Sequence, residues 1–202
     1  MSSDTPTIGR PRAFDEETVL GRAAEVFWQH GYEGASLSAL TSAMGINRPS
    51  LYATFGSKEQ LFERAFAQYH ETQLASARAA LEQPTAYAAI EAFLRSSAAG
   101  LTASGHPAGC LSVQGGLACS PENARISEVL AAGRAATEAA VEERLSRAAK
   151  EGDLPGGMDA RALARFVMAL SEGHAVHAAA GASCDDLQAS VDIALRALAL
   201  RS

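Results

Sequence analysis

Between Ser36 and Phe62 the chain reads SLSALTSAMGINRPSLYATFGSKEQLF, with Arg48 and Lys58 as its basic residues and Glu59 as its one carboxylate. Ser36, Asn47, Ser50, Tyr52 and Thr54 add hydrogen-bonding groups to the same stretch. This set suits a polyanion: guanidinium and ammonium groups pair with phosphates, hydroxyls donate to them, and carboxylates, which phosphates repel, are nearly absent. The gap is local, because the formal net charge of the whole chain is -6. A sum of that sign argues against indiscriminate nucleic-acid binding and leaves room for one basic face.

Short helices must position these groups. Ser36 is expected to cap a helix carrying Leu37, Leu40 and Met44, which stops at Gly45, a residue type that accepts a left-handed turn. Asn47 is placed to cap the next, NRPSLYATF, with Pro49 in the first turn, where a missing N–H costs nothing. Two short helices joined by a glycine turn form a helix-turn-helix, which delivers the start of its second helix into the major groove. Leu51 and Phe55, four apart, face a small core and leave Arg48, Pro49, Ser50, Tyr52 and Thr54 pointing outward. Arg48 suits a guanine edge or a phosphate, and Tyr52 and Thr54 suit phosphates and thymine methyls. Lys58, in the first turn of a following helix, and Ser36, at a helix start, read as phosphate anchors. Ahead of them, Arg10 and Arg12 in GRPR suit the narrow minor groove.

The remaining pattern is helical throughout, and the fold class is all-α. Asp15, Glu16 and Glu17 open a helix with Leu20, Ala23 and Phe27 in register up to Gly31. Ser57 to Gln60 has capping-box spacing before a long helix that runs towards Leu81, ahead of Pro84. Periodicity predicts further helices over about 84–103 and 122–152, with a glycine-rich stretch between them, and two more ending near Gly181 and Leu198. No segment alternates as a strand does. The division expected is a flexible basic arm (1–13), a helix-turn-helix domain (14–60) and a helical regulatory domain (61–202).

The order AAEVFWQHGYEGASLSALTSAMGINRPSLYATFGSKEQLF resembles the amino-terminal domain of the tetracycline-repressor (TetR) family of bacterial transcriptional regulators. Gly31–Tyr32, Gly45, Leu51–Tyr52, Phe55 and Ser57-Lys58-Glu59 carry the resemblance, which spans about residues 12–66. Thr54 departs from the pattern, in which a longer polar or aromatic residue is frequent. The resemblance implies a homodimer joined through its last two helices, a pocket among the middle helices, and loss of DNA affinity when a ligand binds. The expected function is a ligand-responsive repressor acting on a palindromic double-stranded operator.

For the effector site the candidates are Tyr87, Phe93, Leu94, Leu111, Gln114, Phe166 and His174, a mix that suits a mainly apolar ligand with one or two hydrogen bonds. For the dimer interface they are Leu170, His177, Leu187, Val191, Leu195 and Leu198. Phe27 and Trp28 have core spacing. His174 and His177 share a helical face with no third ligand in view, so no metal is expected, and no cofactor. Cys110, Cys119 and Cys184 lack metal or redox spacing and read as reduced, mostly inert thiols. No nucleophile elbow or phosphate loop points to an enzyme. Without a signal-peptide core or membrane-length apolar run, the expectation is a cytoplasmic protein with no membrane partner. The competing class is an all-α small-molecule-binding module or a thiol-based redox sensor.

Overall fold

The computed structural model describes residues 15–116, 119–154 and 157–198. Among them are nine α-helices and no strand: α1 Glu16–Gly34, α2 Leu37–Met44, α3 Arg48–Phe55, α4 Lys58–Leu81, α5 Ala86–Leu101, α6 Leu111–Gln114, α7 Ala124–Glu151, α8 Ala160–Ala179 and α9 Cys184–Ala197, with a short 3-10 turn at Pro121–Asn123.

Local chemistry sets most of these ends. The side chains of Asp15, Ser36, Asn47, Ser57 and Thr85 each accept a backbone N–H three residues on, supplying one of the partners a helix start lacks. Gly45 ends α2 at φ 68°, in the left-handed region, and the Ile46 N–H reaches back to the Thr41 carbonyl. Gly31 has φ 67° and ψ 170° and breaks the helical path where the sequence predicts a stop, although hydrogen bonding carries α1 on to Gly34. The reciprocal capping box lies at Ser183–Asp186 and not at Ser57–Gln60. Gln60 turns its side chain back over Gly56, so close that a β-carbon on Gly56 would collide with it.

The helices build two main cores. In the first, Phe27, Tyr32, Leu40, Met44, Leu51, Phe55 and Phe62 pack with Leu111, Ile126 and Leu130, so the beginnings of α6 and α7 belong to the amino-terminal unit. The Phe27 and Phe62 rings meet edge to face with centroids 4.9 Å apart. The second core gathers Ala77 and Leu81 of α4 with Ile90, Leu94, Val141, Leu145, Val167, Val191 and Leu195. Both α4 and α7 contribute to both cores, and these two helices meet at Gly133, where a β-carbon would lie 2.7 Å from the Phe66 ring. At the far end the buried Arg144 donates from Nε to the Leu81 carbonyl and from Nη2 to the Gln83 carbonyl, tying α7 to the end of α4.

Candidate nucleic-acid interface and effector cavity

Leu51 and Phe55 are buried under α3, and this turns Arg48, Pro49 and Tyr52 to the exposed side with Ser50 and Thr54 half-buried. Tyr52 keeps 47% of its surface exposed. Ser36 and Asn47 are exposed at the starts of α2 and α3. Lys58 sits over the Tyr32 ring, its Nζ 4.5 Å from the centroid, half-buried at the start of α4. Burial pushes its ammonium pKa down, and the Glu33 carboxylate opposes that shift. Thr54 contributes structure as well as surface: its carbonyl accepts from Arg64 Nη1 at 3.3 Å, and Arg64 pairs with Glu16 of α1. Sequence reasoning missed Arg22, an exposed α1 residue with a guanidinium beside the turn glycine Gly45. Arg10 and Arg12 lie outside the described residues.

Between the two cores lies a partly open cavity of about 310 Å³. Its wall draws on α1 (Trp28), α4 (Tyr69, His70, Gln73, Ser76), α5 (Phe93, Ser96, Ser97), the segment around α6 (His106, Cys110, Ser112, Val113), α7 (Arg134, Thr137) and α8 (Met168, Ser171, Glu172). Of the candidates read from sequence, only Phe93 belongs to this wall. Leu94 and Leu111 are fully buried in the cores, and Tyr87 packs against the second one. Gln114 stands behind the wall as a hydrogen-bond hub. Phe166 points away from the cavity, 44% exposed on the outer side of α8. His174 is buried at the α8–α9 contact, where it bonds the Ser190 hydroxyl; burial first, then His177, lowers its pKa. The wall carries more hydroxyls and charges than the sequence led us to expect.

Several bonds join this wall to the amino-terminal unit. Gln114 Oε1 accepts both the Trp28 indole N–H at 3.0 Å and the Cys110 backbone N–H at 2.8 Å. Trp28 stacks on His106, centroids 4.9 Å apart, and meets Tyr69 edge-on at 5.1 Å. The core spacing of Trp28 is therefore compatible with a second role, as cavity wall. Next to Gln114, the Gly115 carbonyl accepts the Tyr32 backbone N–H at 3.0 Å. Across the cavity Arg134 donates to the Ser112 carbonyl at 2.5 Å, and its Nε lies 3.9 Å from Glu172. Burial pushes the Glu172 carboxyl up despite that guanidinium.

The dimer-interface candidates divide. Leu187, Val191 and Leu195 are 3%, 0% and 4% exposed in the single protomer, so their side chains are already used by their own cores. Periodicity shows which face of α9 is apolar, and within the protomer that face packs inward on α5. Leu170 and Leu198 are half-buried and His177 is exposed. On α8 and α9 the large apolar side chains left exposed among the described residues are Phe166, Val176 and Ile193, the last two 51% and 61% exposed. All three cysteines are free, and no group of three metal-ligating side chains occurs among the described residues. Nor is any described helix long and apolar enough to cross a membrane.

A helix-turn-helix unit continuous with a helical body that holds a partly open cavity is the architecture of a ligand-responsive DNA-binding regulator. Residues 19–65 match the family model for bacterial regulatory proteins of the tetR family, and residues 86–197 match the tetracyclin repressor-like C-terminal domain. The chain belongs to the TetR family. It is 32% identical over 190 residues to the HTH-type transcriptional repressor ComR of Escherichia coli, covering 93% of this chain and 90% of that one. A Bacillus subtilis HTH-type transcriptional regulator, YezE, is 33% identical over 95% of this chain and 100% of its own length. Among solved structures, a cysteine mutant of the TetR family regulator CifR in complex with 26-bp operator DNA superposes with a TM-score of 0.91 at 42% identity, covering 94% of this chain and 100% of that chain.

Proposed function

We propose that this chain works in the cytoplasm as a homodimeric, effector-released repressor of a palindromic operator, and not as an enzyme. The observation that carries the reading is the exposed, carboxylate-poor face of α3, framed by the capped starts of α2, α3 and α4. Arg48, Pro49, Ser50, Tyr52 and Thr54 meet base edges and phosphates, Ser36, Asn47 and Lys58 anchor the flanking phosphates, and Arg10 and Arg12 follow the minor groove. Arg22, beside the turn, adds one more phosphate contact. The outer stripes of α8 and α9, with Phe166, Val176 and Ile193, join the two protomers.

Two recognition helices enter successive major grooves only when they stand about 35 Å apart. Because α4 is part of both cores and its middle lines the cavity, an occupant there changes the angle between the units. It releases DNA to the extent that it prefers the non-binding angle. The names of the relatives, transcriptional repressors and an operator complex, support the same reading.

The test is titration of a duplex from beside the chain's own gene at several salt concentrations. Sub-micromolar affinity with a log-log slope of several units is expected. Tyr52→Ala and Lys58→Ala, each present twice in a dimer, should lower affinity at least about a hundredfold. Dimer mass should not change, and unfolding should shift by no more than ~1 kcal/mol, the cation–π contact of Lys58. Absence of binding to any such duplex refutes the reading, and unfolding of Tyr52→Ala would make that ring a packing residue.

A further inference from the structure

Where α4 ends, the last turns of α7 pass beside it, and the two helices border an open groove of about 410 Å³ that shares no residue with the effector cavity. From α7 it takes Glu143, Arg144, Arg147 and Lys150, three or four residues apart on one helical face, and from α4 Arg78 and Glu82. Cations outnumber carboxylates here, the reverse of the whole chain with its formal net charge of -6. Arg78, Arg147 and Lys150 are exposed, and none of them forms an ion pair with a described residue. Arg144 differs in being only 5% exposed. Its Nε and Nη2 donate to the Leu81 and Gln83 carbonyls, and Asp153 approaches Nη2 at 4.0 Å. Its Nη1 has no hydrogen-bond partner among the described residues. A buried charged donor without an acceptor is costly, and folded proteins rarely keep one unless something else supplies the acceptor.

Two ordinary roles for such cations do not account for the set. Lysine and arginine offset the negative end of a helix, but that effect fades within the last turn, and Arg144 lies about two turns inside α7. Nor does the groove extend the DNA-binding face. Arg78 stands twenty residues beyond Lys58 on the same helix, about 30 Å away at 1.5 Å per residue.

We propose that this groove is a second ligand site, and that its ligand is a small molecule carrying a phosphoryl group, which accepts from Arg144 Nη1 and is neutralised by Arg78, Arg147 and Lys150. A phosphate monoester carries close to two negative charges and three terminal oxygens, so it can serve the buried donor and the exposed cations together. A carboxylate, with one charge and two oxygens, would leave most of the cations unmatched. The volume suits a small molecule, and the exposed carboxylates of Glu82 and Glu143 repel an extended polyanion. An occupant joins Arg78 of α4 to Arg147 of α7 and adds to the tie that Arg144 already makes between those helices.

The experiment titrates the full-length protein, without DNA, with inorganic pyrophosphate in a calorimeter, holding ionic strength constant with sodium chloride. One site per chain with a dissociation constant below about 1 mM is expected, together with a melting temperature that climbs with pyrophosphate concentration. Arg144 holds two carbonyls, so removing it would mix binding with folding, and the decisive variants are at the exposed positions. Arg78→Gln and Arg147→Gln should each weaken binding at least about fivefold, and the double variant should abolish it with helical content unchanged. Arg48→Gln, on the DNA-binding face, should take up pyrophosphate as the wild type does. Binding that survives in the double variant, binding lost in Arg48→Gln, or no heat above the chloride control overturns the proposal. Because no duplex is present, the outcome is separate from that of the repressor reading.

Discussion

The two halves of α4 solve opposite problems. From Lys58 to Phe66 the inward residues Leu61, Phe62, Ala65 and Phe66 are at most 4% exposed and lock into the amino-terminal core. From Tyr69 to Ser76 the inward residues are polar or only half-buried and look into the cavity, before Ala77 and Leu81 rejoin a core. One continuous helix therefore links two tightly packed bodies through a stretch packed against a void. Close-packed bodies move as units and voids do not resist, so motion concentrates at the seam. Stability and regulation are thereby assigned to different residues of the same helices, and substitutions should separate them.

The largest effects should come from the packed bodies. Leu195→Glu puts a carboxylate into the second core and should cost at least ~4 kcal/mol, read as loss of cooperative thermal unfolding. Ile193→Glu, two residues away and 61% exposed, should leave helical content intact and shift the dimer to monomers in sedimentation velocity. A folded monomer from Leu195→Glu would restore that residue to the interface and break the division. A smaller effect, about 1–3 kcal/mol, is expected for Gly133→Val, which drives side-chain atoms into Phe66 and His70 where α4 and α7 touch. Operator affinity should change along with the melting temperature, since the two struts are forced apart at the seam. If only the melting temperature moves, the α4–α7 contact is scaffold and the angle is set elsewhere.

The same contrast accounts for what was legible in the sequence. Helix starts at Asp15, Ser36, Asn47 and Ser57, and the turn at Gly45, depend on interactions within a few residues, and a cap or a positive φ leaves its mark on residue type. The outward set on α3 followed from Leu51 and Phe55 facing in. The cavity is a different kind of object, made where five long helices and the α6 segment fail to fill space. Apolar periodicity marks the buried side of a helix without telling whether that side meets a core, a void or a second chain. Leu94 and Leu111 therefore belong to cores, Leu187, Val191 and Leu195 to their own protomer, and Phe166 to the outer surface. Serines, histidines and Gln73 on the inner faces were the available signal: polar residues at positions where periodicity asks for apolar ones.

Glu172 gives the smallest effect and the most direct test of the seam's cost. Burial raises its pKa in the folded protein, and Arg134, with Nε 3.9 Å away, opposes this without cancelling it. An acid whose folded pKa exceeds its unfolded value, about 4.3, favours folding while protonated and loses that contribution as pH rises through the folded pKa. At neutral pH the ionised carboxylate therefore weakens the protein. Glu172→Gln should melt at the same temperature as wild type near pH 4, and above it by a margin that widens towards pH 7. The effect stays small because the carboxylate is partly solvated. A glutamine variant less stable at neutral pH would mean that attraction to Arg134 outweighs burial. The wall would then be held together by its charges, and the contrast between the packed and open halves of α4 would have to be drawn more narrowly, around Gln73 and Ser76.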